Sequence, residues 1–496
     1  MSRPLSVVIV GAGFGGIAAA IAARAEGVQD ITVLERSDRV GGVWHHNTYP
    51  GIACDVPSHL YEFSFAPNRD WTRRYSPGSE IREYAERLAR DHAVLGCVRF
   101  GAEVAHAAFE EDERRWRVEL VGGETLRADV VITACGQLHQ PSVPALPGIG
   151  SFAGRAFHSA QWDHEHTLAG AHVAVVGTGA SAIQFVPRVA EQAQHTTIFQ
   201  RSAPWIIPKL DTAFTERTKR LYRRIPFPRV YRRIYWAAFE SLVPALTRDP
   251  ARRGRITAAA VRVLATVQRA VQLRGDRRLM PATRPTSEVG CKRLCLTSEW
   301  YPTLRRPDVE LVTDEIVAVV PHGIVTADGT THPVDTIIFG TGFTATELLA
   351  PMTLTGRAGM TLGQAWADGA EAYLGMTIPS FPNLFLVYGP STNHGTGSVI
   401  ATHEAQMAYL RDALRLLRTG AADVLEVRRE AHERFQAEMA RRTAATVWAT
   451  GCSNWYVNAA GRVTNNWPGP NGEYRRRVER LEPADFHAQL PVDAAA

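Results

Sequence analysis

Two glycine-rich turns, each set between a short apolar run and a helical stretch, constrain this chain more than any other feature. Ser6 to Val10 is a β-rich run, Gly11-Ala12-Gly13-Phe14-Gly15-Gly16 follows, Ile17 to Glu26 reads as an alanine-rich helix, and Ile31 to Leu34 reads as the next strand. The order recurs. His172 to Val176 reads as a strand, Gly177-Thr178-Gly179-Ala180-Ser181-Ala182 forms the turn, a helix interrupted by Pro187 follows, and Thr196 to Phe199 is the next strand. A GxGxx(G/A) turn in this setting lets a pyrophosphate approach a helix N-terminus, where free backbone N–H groups and the helix dipole favour negative charge. The expectation is an α/β fold with two Rossmann-type dinucleotide-binding domains. Gly11, Gly13 and Gly16 hold one nucleotide, and Gly177, Thr178, Gly179, Ser181 and Ala182 hold the other.

The second strands distinguish the two nucleotides. Glu35 and Arg201 stand equally far past the first glycine of their turns, so they belong beside equivalent riboses. A carboxylate accepts hydrogen bonds from a free ribose 2′-hydroxyl and repels a 2′-phosphate, whereas a guanidinium forms charge-assisted bonds to that phosphate. The first unit therefore suits FAD and the second NADPH, with Ser202 next to Arg201. Hydride passing from NADPH to a flavin follows; where the electrons then go does not.

At 496 residues the chain calls for more than one core. A net charge of +5 over 55 basic and 50 acidic residues is too mild to predict a nucleic-acid surface. No apolar run reaches transmembrane length. The six cysteines, Cys54, Cys97, Cys135, Cys291, Cys295 and Cys452, include no CxxC pair or zinc-ligand spacing. They read as reduced thiols of a cytoplasmic protein. Leu210 to Pro285 fits neither nucleotide unit and reads as a helical insertion, with Arg217, Lys219, Arg220, Arg223, Arg224, Arg229, Arg232 and Arg233 among Leu221, Tyr222, Phe227, Tyr231, Tyr235 and Trp236. Its arginines are expected to face water, with peripheral membrane contact as the alternative.

Between the two units lies Phe152-Ala153-Gly154-Arg155-Ala156-Phe157-His158-Ser159-Ala160-Gln161-Trp162-Asp163. It resembles FxGxxxHxxxW(P/D), the fingerprint of type I Baeyer-Villiger monooxygenases, at Phe152, Gly154, His158, Trp162 and Asp163. His158 reads as a hinge residue rather than a base. The resemblance extends to Gly41-Gly42-Val43-Trp44 through Cys54-Asp55 to Tyr61, similar to the family's flavin-contacting stretch, and it implies flavin binding by Trp44, Asp55 and Tyr61. Many members carry arginine where Ala53 stands. Gly290-Cys291-Lys292-Arg293 is similar to the family's GCKR segment, which implies that Lys292 binds the NADPH phosphate and Arg293 serves the chemistry. Asp129 to Gly136, Asp335 to Phe343 and Phe381 to Ser398 resemble further flavin-domain strands and returns. Ser453-Asn454-Trp455-Tyr456 and Trp467-Pro468-Gly469 resemble the tail of members like 4-hydroxyacetophenone monooxygenase.

The resemblance implies that NADPH reduces FAD and that dioxygen then reacts, through a peroxyflavin, to convert a ketone to an ester or lactone. Arg293 is the candidate for stabilising the oxygen anions and Asp55 for orienting it. Alternatives are an N- or S-oxygenase, in which an aromatic residue other than tryptophan replaces Trp162, and a reductase without oxygenation. The expected organisation is an FAD-binding domain over 1–150 and 336–496, an NADPH-binding domain over 151–209 and 286–335, and the helical insertion over 210–285 between the latter halves.

Overall fold

The computed structural model describes residues 3–224, 227–241, 243, 252–449, 451 and 454–489. Cys452 and Ser453 lie outside the described residues. Ser6–Val10 is buried along its whole length, as expected for a central parallel strand covered on both faces. It pairs in parallel with Asp30–Glu35 and Val130–Thr133. Val98–Phe100 and Leu384–Leu386 extend this five-stranded sheet at its edges. The helix Phe14–Ala25 presents mostly glycine and alanine, so it packs closely against both the sheet and the helix Val399–Arg418. An appended sheet of Thr353–Thr355, Val104–Glu110, Arg115–Leu120 and Thr125–Ala128 buries Trp116 and Phe109 on its inner face.

The second five-stranded sheet has the order Val309–Val312, His195–Phe199, His172–Val176, Thr336–Phe339, Arg155–His158, with every pair parallel. The expected return to the first unit at residue 336 therefore comes later. Thr336–Phe339 is an interior strand here, bonded on both sides, and only after it does the chain cross back. A local sequence pattern shows that such a strand is apolar but not which sheet it joins. The helix Ala182–Ala190 covers this sheet and runs through Pro187. Ile316–Val320, Gly323–Thr326 and Thr331–Pro333 form a small antiparallel appendage.

The expected helical insertion contains Glu216–Arg224, Phe227–Glu240, Arg252–Leu273 and Leu279–Ala282. Its polar and aromatic residues separate. Arg217, Arg220, Arg223, Arg224 and Arg233 are exposed, whereas Tyr235, Trp236 and Phe239 pack on the core of the first unit. Arg232 reaches inward and donates to the Glu62 carbonyl at 2.8 Å. Among the described residues no helix is long and apolar enough to cross a membrane. The cysteine reading is corrected at one position. Cys54, Cys97, Cys135 and Cys295 are free, but Cys291 is disulfide-bonded. Spacing along the sequence does not report which thiols the fold brings together.

Candidate active site

The two glycine turns are built alike. Gly11 has φ +101°, and a side chain there would meet the Ala134 carbonyl at 2.8 Å; Gly177 has φ +103° and would meet the Gly340 carbonyl at 2.6 Å. Each first glycine thus lets the turn pass under the backbone leaving a neighbouring strand. Gly13 caps the following helix, and Gly42 faces it across 3.6 Å from where a Cβ would stand. Glu35, at the end of its strand, is buried. Its Oε2 accepts from the Ala12 N–H at 2.7 Å, and its Oε1 accepts from the N–H and hydroxyl of Ser37 at 2.9 and 2.8 Å. These bonds fix the carboxylate in the turn and leave lone pairs for a ribose hydroxyl.

At the equivalent place in the second unit the charge is reversed. Lys292 Nζ donates to Ser202 Oγ at 2.6 Å, and Thr178 Oγ1 donates to the Ser202 carbonyl at 3.3 Å. Burial, and after it the Arg201 charge, lowers the pKa of Lys292. Among the described residues neither Arg201 nor Lys292 has a carboxylate within salt-bridge distance. Two neighbouring cations around a serine hydroxyl, without an anion of their own, fit a phosphate.

Lys292 and Arg293 face different units, as alternation along extended backbone predicts. Arg293 crosses to the first unit, where its Nε donates to Asp55 Oδ2 and its Nη2 to Oδ1, both at 2.8 Å, joining residues 238 positions apart. Its side chain is 35% exposed and that of Asp55 25%, so the pair opens onto the cleft between the units. The Asp55 charge raises the Arg293 pKa against the opposing effect of burial, and the cation is permanent. Trp448 Nε1 donates to the Gly290 carbonyl at 3.2 Å, anchoring the segment that carries both basic residues. Trp44 Nε1 donates to Tyr61 Oη at 3.0 Å, and the two rings meet edge to face at 5.6 Å. Burial pushes the Cys54 and Cys295 thiols up to about 12, which leaves both unreactive beside the pair.

The five fingerprint residues make their contacts at the edge of the second sheet. Gly154 is required because a side chain would stand 2.0 Å from the Asp335 carbonyl. His158 is buried, accepts from the Ala160 N–H through Nδ1 at 3.1 Å and packs edge to face on Phe343 at 5.7 Å, in the segment where the chain crosses back. Phe152 packs on the second unit's core, Trp162 lies between Phe157 and Phe185, and Asp163 accepts from Arg155 at 2.8 Å.

Two residues near the Asp55–Arg293 pair belong to segments that the resemblance marked without giving either residue a role. Tyr388 adopts φ +63°, a left-handed conformation costly for a bulky side chain. Its N–H donates to Gln406 Oε1 at 2.9 Å and its hydroxyl to Asn393 Oδ1 at 2.6 Å, with the phenol close enough to Arg293 to feel its charge. Tyr456 is buried on the same cation, its phenol pushed up to about 12 by burial.

Fold and site together define a flavoprotein of the two-dinucleotide kind, with a buried carboxylate beside the first turn and two cations beside the second. A family profile, Flavin-binding monooxygenase-like, matches residues 5–221. A Baeyer-Villiger monooxygenase of Streptomyces coelicolor is 41% identical over 98% of this chain and 93% of its own length. One of Pseudomonas aeruginosa is 36% identical over 98% and 92%. Among solved structures, cyclohexanone monooxygenase from Rhodococcus sp. Phi1 bound to NADP+ superposes with a TM-score of 0.86 at 27% identity, covering 99% of this chain and 100% of that one. A steroid monooxygenase bound to NADP gives 0.85 at 28% identity, over 98% and 99%. The chain belongs to the Baeyer-Villiger monooxygenases of the flavin-binding monooxygenase-like family.

Two outcomes test the nucleotide sites. Arg201→Ala raises the Michaelis constant for NADPH, at a cost of about 1.5–3 kcal/mol for the lost charge-assisted contact, and leaves that for NADH nearly unchanged; an equal loss with both coenzymes removes Arg201 from the phosphate site. Glu35→Arg replaces a buried acceptor by a bulky donor, so the variant purifies depleted of flavin. Full flavin absorbance in that variant would show that Glu35 is not the ribose partner.

Proposed function

We propose that this protein converts a ketone to an ester or lactone with NADPH and dioxygen, holding FAD on the first unit and NADPH on the second. The observation that carries the proposal is the bidentate Asp55–Arg293 pair, which ties the units together at a point open to the cleft. The bound flavin supplies the oxygen-transfer chemistry. Gly11, Gly13, Gly16 and Glu35 seat its adenosine diphosphate half, and Trp44, Asp55 and Tyr61 border its ring system. Gly177, Thr178, Gly179, Ser181 and Ala182 seat the NADPH pyrophosphate, and Arg201, Ser202 and Lys292 hold the 2′-phosphate.

Arg293 then has one chemical task, to face negative charge developing on oxygen. It performs that task at any working pH because a guanidinium does not deprotonate. Asp55 supplies orientation, since two parallel hydrogen bonds hold the guanidinium plane in a single attitude. The fingerprint residues hold the crossing at which the second unit meets the first, and they move no proton.

Lipophilic ketones suggest a partner surface. On the helix Arg252–Leu273, Ile256, Val263, Leu264, Val267 and Val271 are all about half exposed or more, at spacings that place them on one face. Arg255 and Arg262 are exposed along it and Arg274 just past its end, and the helix contains no acidic residue. An apolar face bordered by arginines suits the surface of an anionic bilayer and would repel its own copy.

The oxygenation step is tested by Arg293→Ala. A guanidinium about 4 Å from an oxygen anion is worth roughly 4 kcal/mol at an effective dielectric near 20, and losing one such donor slows a reaction on the order of 100- to 1000-fold. The variant still binds FAD and is still reduced by NADPH under anaerobic conditions, yet in air it releases hydrogen peroxide instead of ester. Near-normal ester formation would refute this role; loss of flavin reduction would make Arg293 a coenzyme-positioning residue. The lipid contact predicts flotation with phosphatidylglycerol vesicles, not with phosphatidylcholine alone, and its loss in Val263→Asp/Val267→Asp with turnover of a water-soluble ketone intact. Absence of flotation, or a concentration-dependent dimer abolished by the same substitutions, would count against it.

A further inference from the structure

One buried titratable group takes no part in the ion pair or in the bonds of either glycine turn. His403, on the helix Val399–Arg418, is 8% exposed. Burial pushes its pKa down to about 4, so the imidazole is neutral at any working pH. Its Nδ1 is enclosed without a hydrogen-bond partner, and among the described residues Nε2 has none either. Ser398, at the N-terminal cap of the same helix and 2% exposed, has a hydroxyl that caps no backbone N–H and meets no other partner among the described residues. Buried polar groups left in this state cost free energy that a bound partner removes.

The His403 ring stands between two parts of the site. On one side its Nε2 is 3.6 Å from where a Gly15 Cβ would stand, a point that also lies 3.6 Å from Ala134 Cβ and 3.0 Å from Val387 Cγ1. Ala134 and Val387 are the first residues past the neighbouring parallel strands Val130–Thr133 and Leu384–Leu386. The imidazole therefore lies beside the first glycine turn at the carboxyl ends of the sheet, the place where doubly wound folds bind their ligands. On the other side the ring meets Tyr388 edge to face, with 5.5 Å between centroids. Tyr388 is fixed in turn by its bond to Gln406, one helical turn beyond His403, and it feels the charge of Arg293. An FAD whose diphosphate sits on the turn and whose ring system lies near Asp55 and Arg293 must bridge these two parts. The portion that does so is the ribityl chain, whose free hydroxyls each donate and accept. A neutral imidazole has the same two capacities, one on each nitrogen.

We propose that His403 holds the ribityl chain of FAD, its imidazole sharing a hydrogen bond with a ribityl hydroxyl between the glycine turn and Tyr388. The inference rests on the first unit holding FAD and deepens that reading, because it assigns the stretch between the diphosphate and the ring system.

The test uses the full chain stripped of flavin, as the parent, as His403→Leu, which fills the space without hydrogen bonding, and as His403→Gln, which keeps a neutral donor and acceptor. Dissociation constants for FAD and for ADP are measured by calorimetric titration, beside the melting temperature of each apoprotein. His403→Leu binds FAD about 10- to 100-fold more weakly and ADP as tightly as the parent, while His403→Gln stays close to the parent with both. Replacing an unpartnered buried polar group by an apolar one of similar size does not destabilise the empty protein, so the His403→Leu apoprotein melts no lower than the parent. Unchanged FAD affinity in His403→Leu overturns the proposal. So does a parallel loss of FAD and ADP affinity, which would place the effect at the diphosphate, and so does weaker FAD binding in both variants with lowered melting temperatures, which would mark a packing role. If the parent apoprotein takes up no FAD, the reading of the first unit fails and the proposal falls with it.

Discussion

The structure of the site depends on one ion pair. Asp55 comes from a loop of the first unit and Arg293 from a segment of the second, and two hydrogen bonds of 2.8 Å fix their relative position. A bidentate pair constrains rotation as well as distance, so it holds the guanidinium plane in one attitude against the Asp55 loop. Because the pair is partly open to solvent, it is less costly to maintain than a dry buried bridge, and part of the guanidinium surface stays accessible. The same residue thus holds the cleft together and supplies its permanent positive charge. Its neighbours keep that charge undiluted: the Cys54 and Cys295 thiols and the Tyr456 phenol are all held in their neutral forms by burial.

The two units solve the same problem with opposite charges. In each, a glycine of positive φ passes beneath a crossing carbonyl, Ala134 in one case and Gly340 in the other. The geometry is the same and the charge beside the turn differs. Glu35 is tied to the turn by three hydrogen bonds from Ala12 and Ser37, whereas Lys292 bonds to the Ser202 hydroxyl and lies close enough to Arg201 to feel its charge. An anion already satisfied by neutral donors has no need of a cation, and it discriminates against a phosphate. Two cations without a counter-anion are a standing repulsion that a phosphate relieves.

The turns were legible in the sequence because a strand-turn-helix-strand unit has a fixed order, and the same spacing put Glu35 and Arg201 at equivalent places past their first glycines. The Asp55–Arg293 pair was not legible in the same sense. Its members are 238 positions apart, so only a resemblance, not a period, could suggest that they meet. Thr336–Phe339 shows the limit for topology, since an apolar strand of four residues carries no mark of the sheet it will join. Cys291 shows it for covalent chemistry, and Tyr388 for backbone conformation, since nothing in the residue type announces φ +63°. The strip at 72–76 was not legible either, because its place is set by lateral pairing of the irregular segments around 54–58, 72–76 and 210–214, none of which has a repeating pattern.

That lateral pairing also explains why the insertion belongs to the site and is not merely attached to it. Its first residues complete the strip behind Asp55, and farther along Tyr235, Trp236 and Phe239 pack on the first unit's core, although the insertion leaves from the second unit. A segment that leaves one unit and packs on the other links them a second time, independently of the ion pair. Rotation of one unit against the other would strain both links unless the strip at 72–76 moved with the insertion. The cavity beside Tyr75 draws its lining from both partners of this second link, with Trp44, Ile52 and Ala53 from the first unit and Asp211 from the start of the insertion.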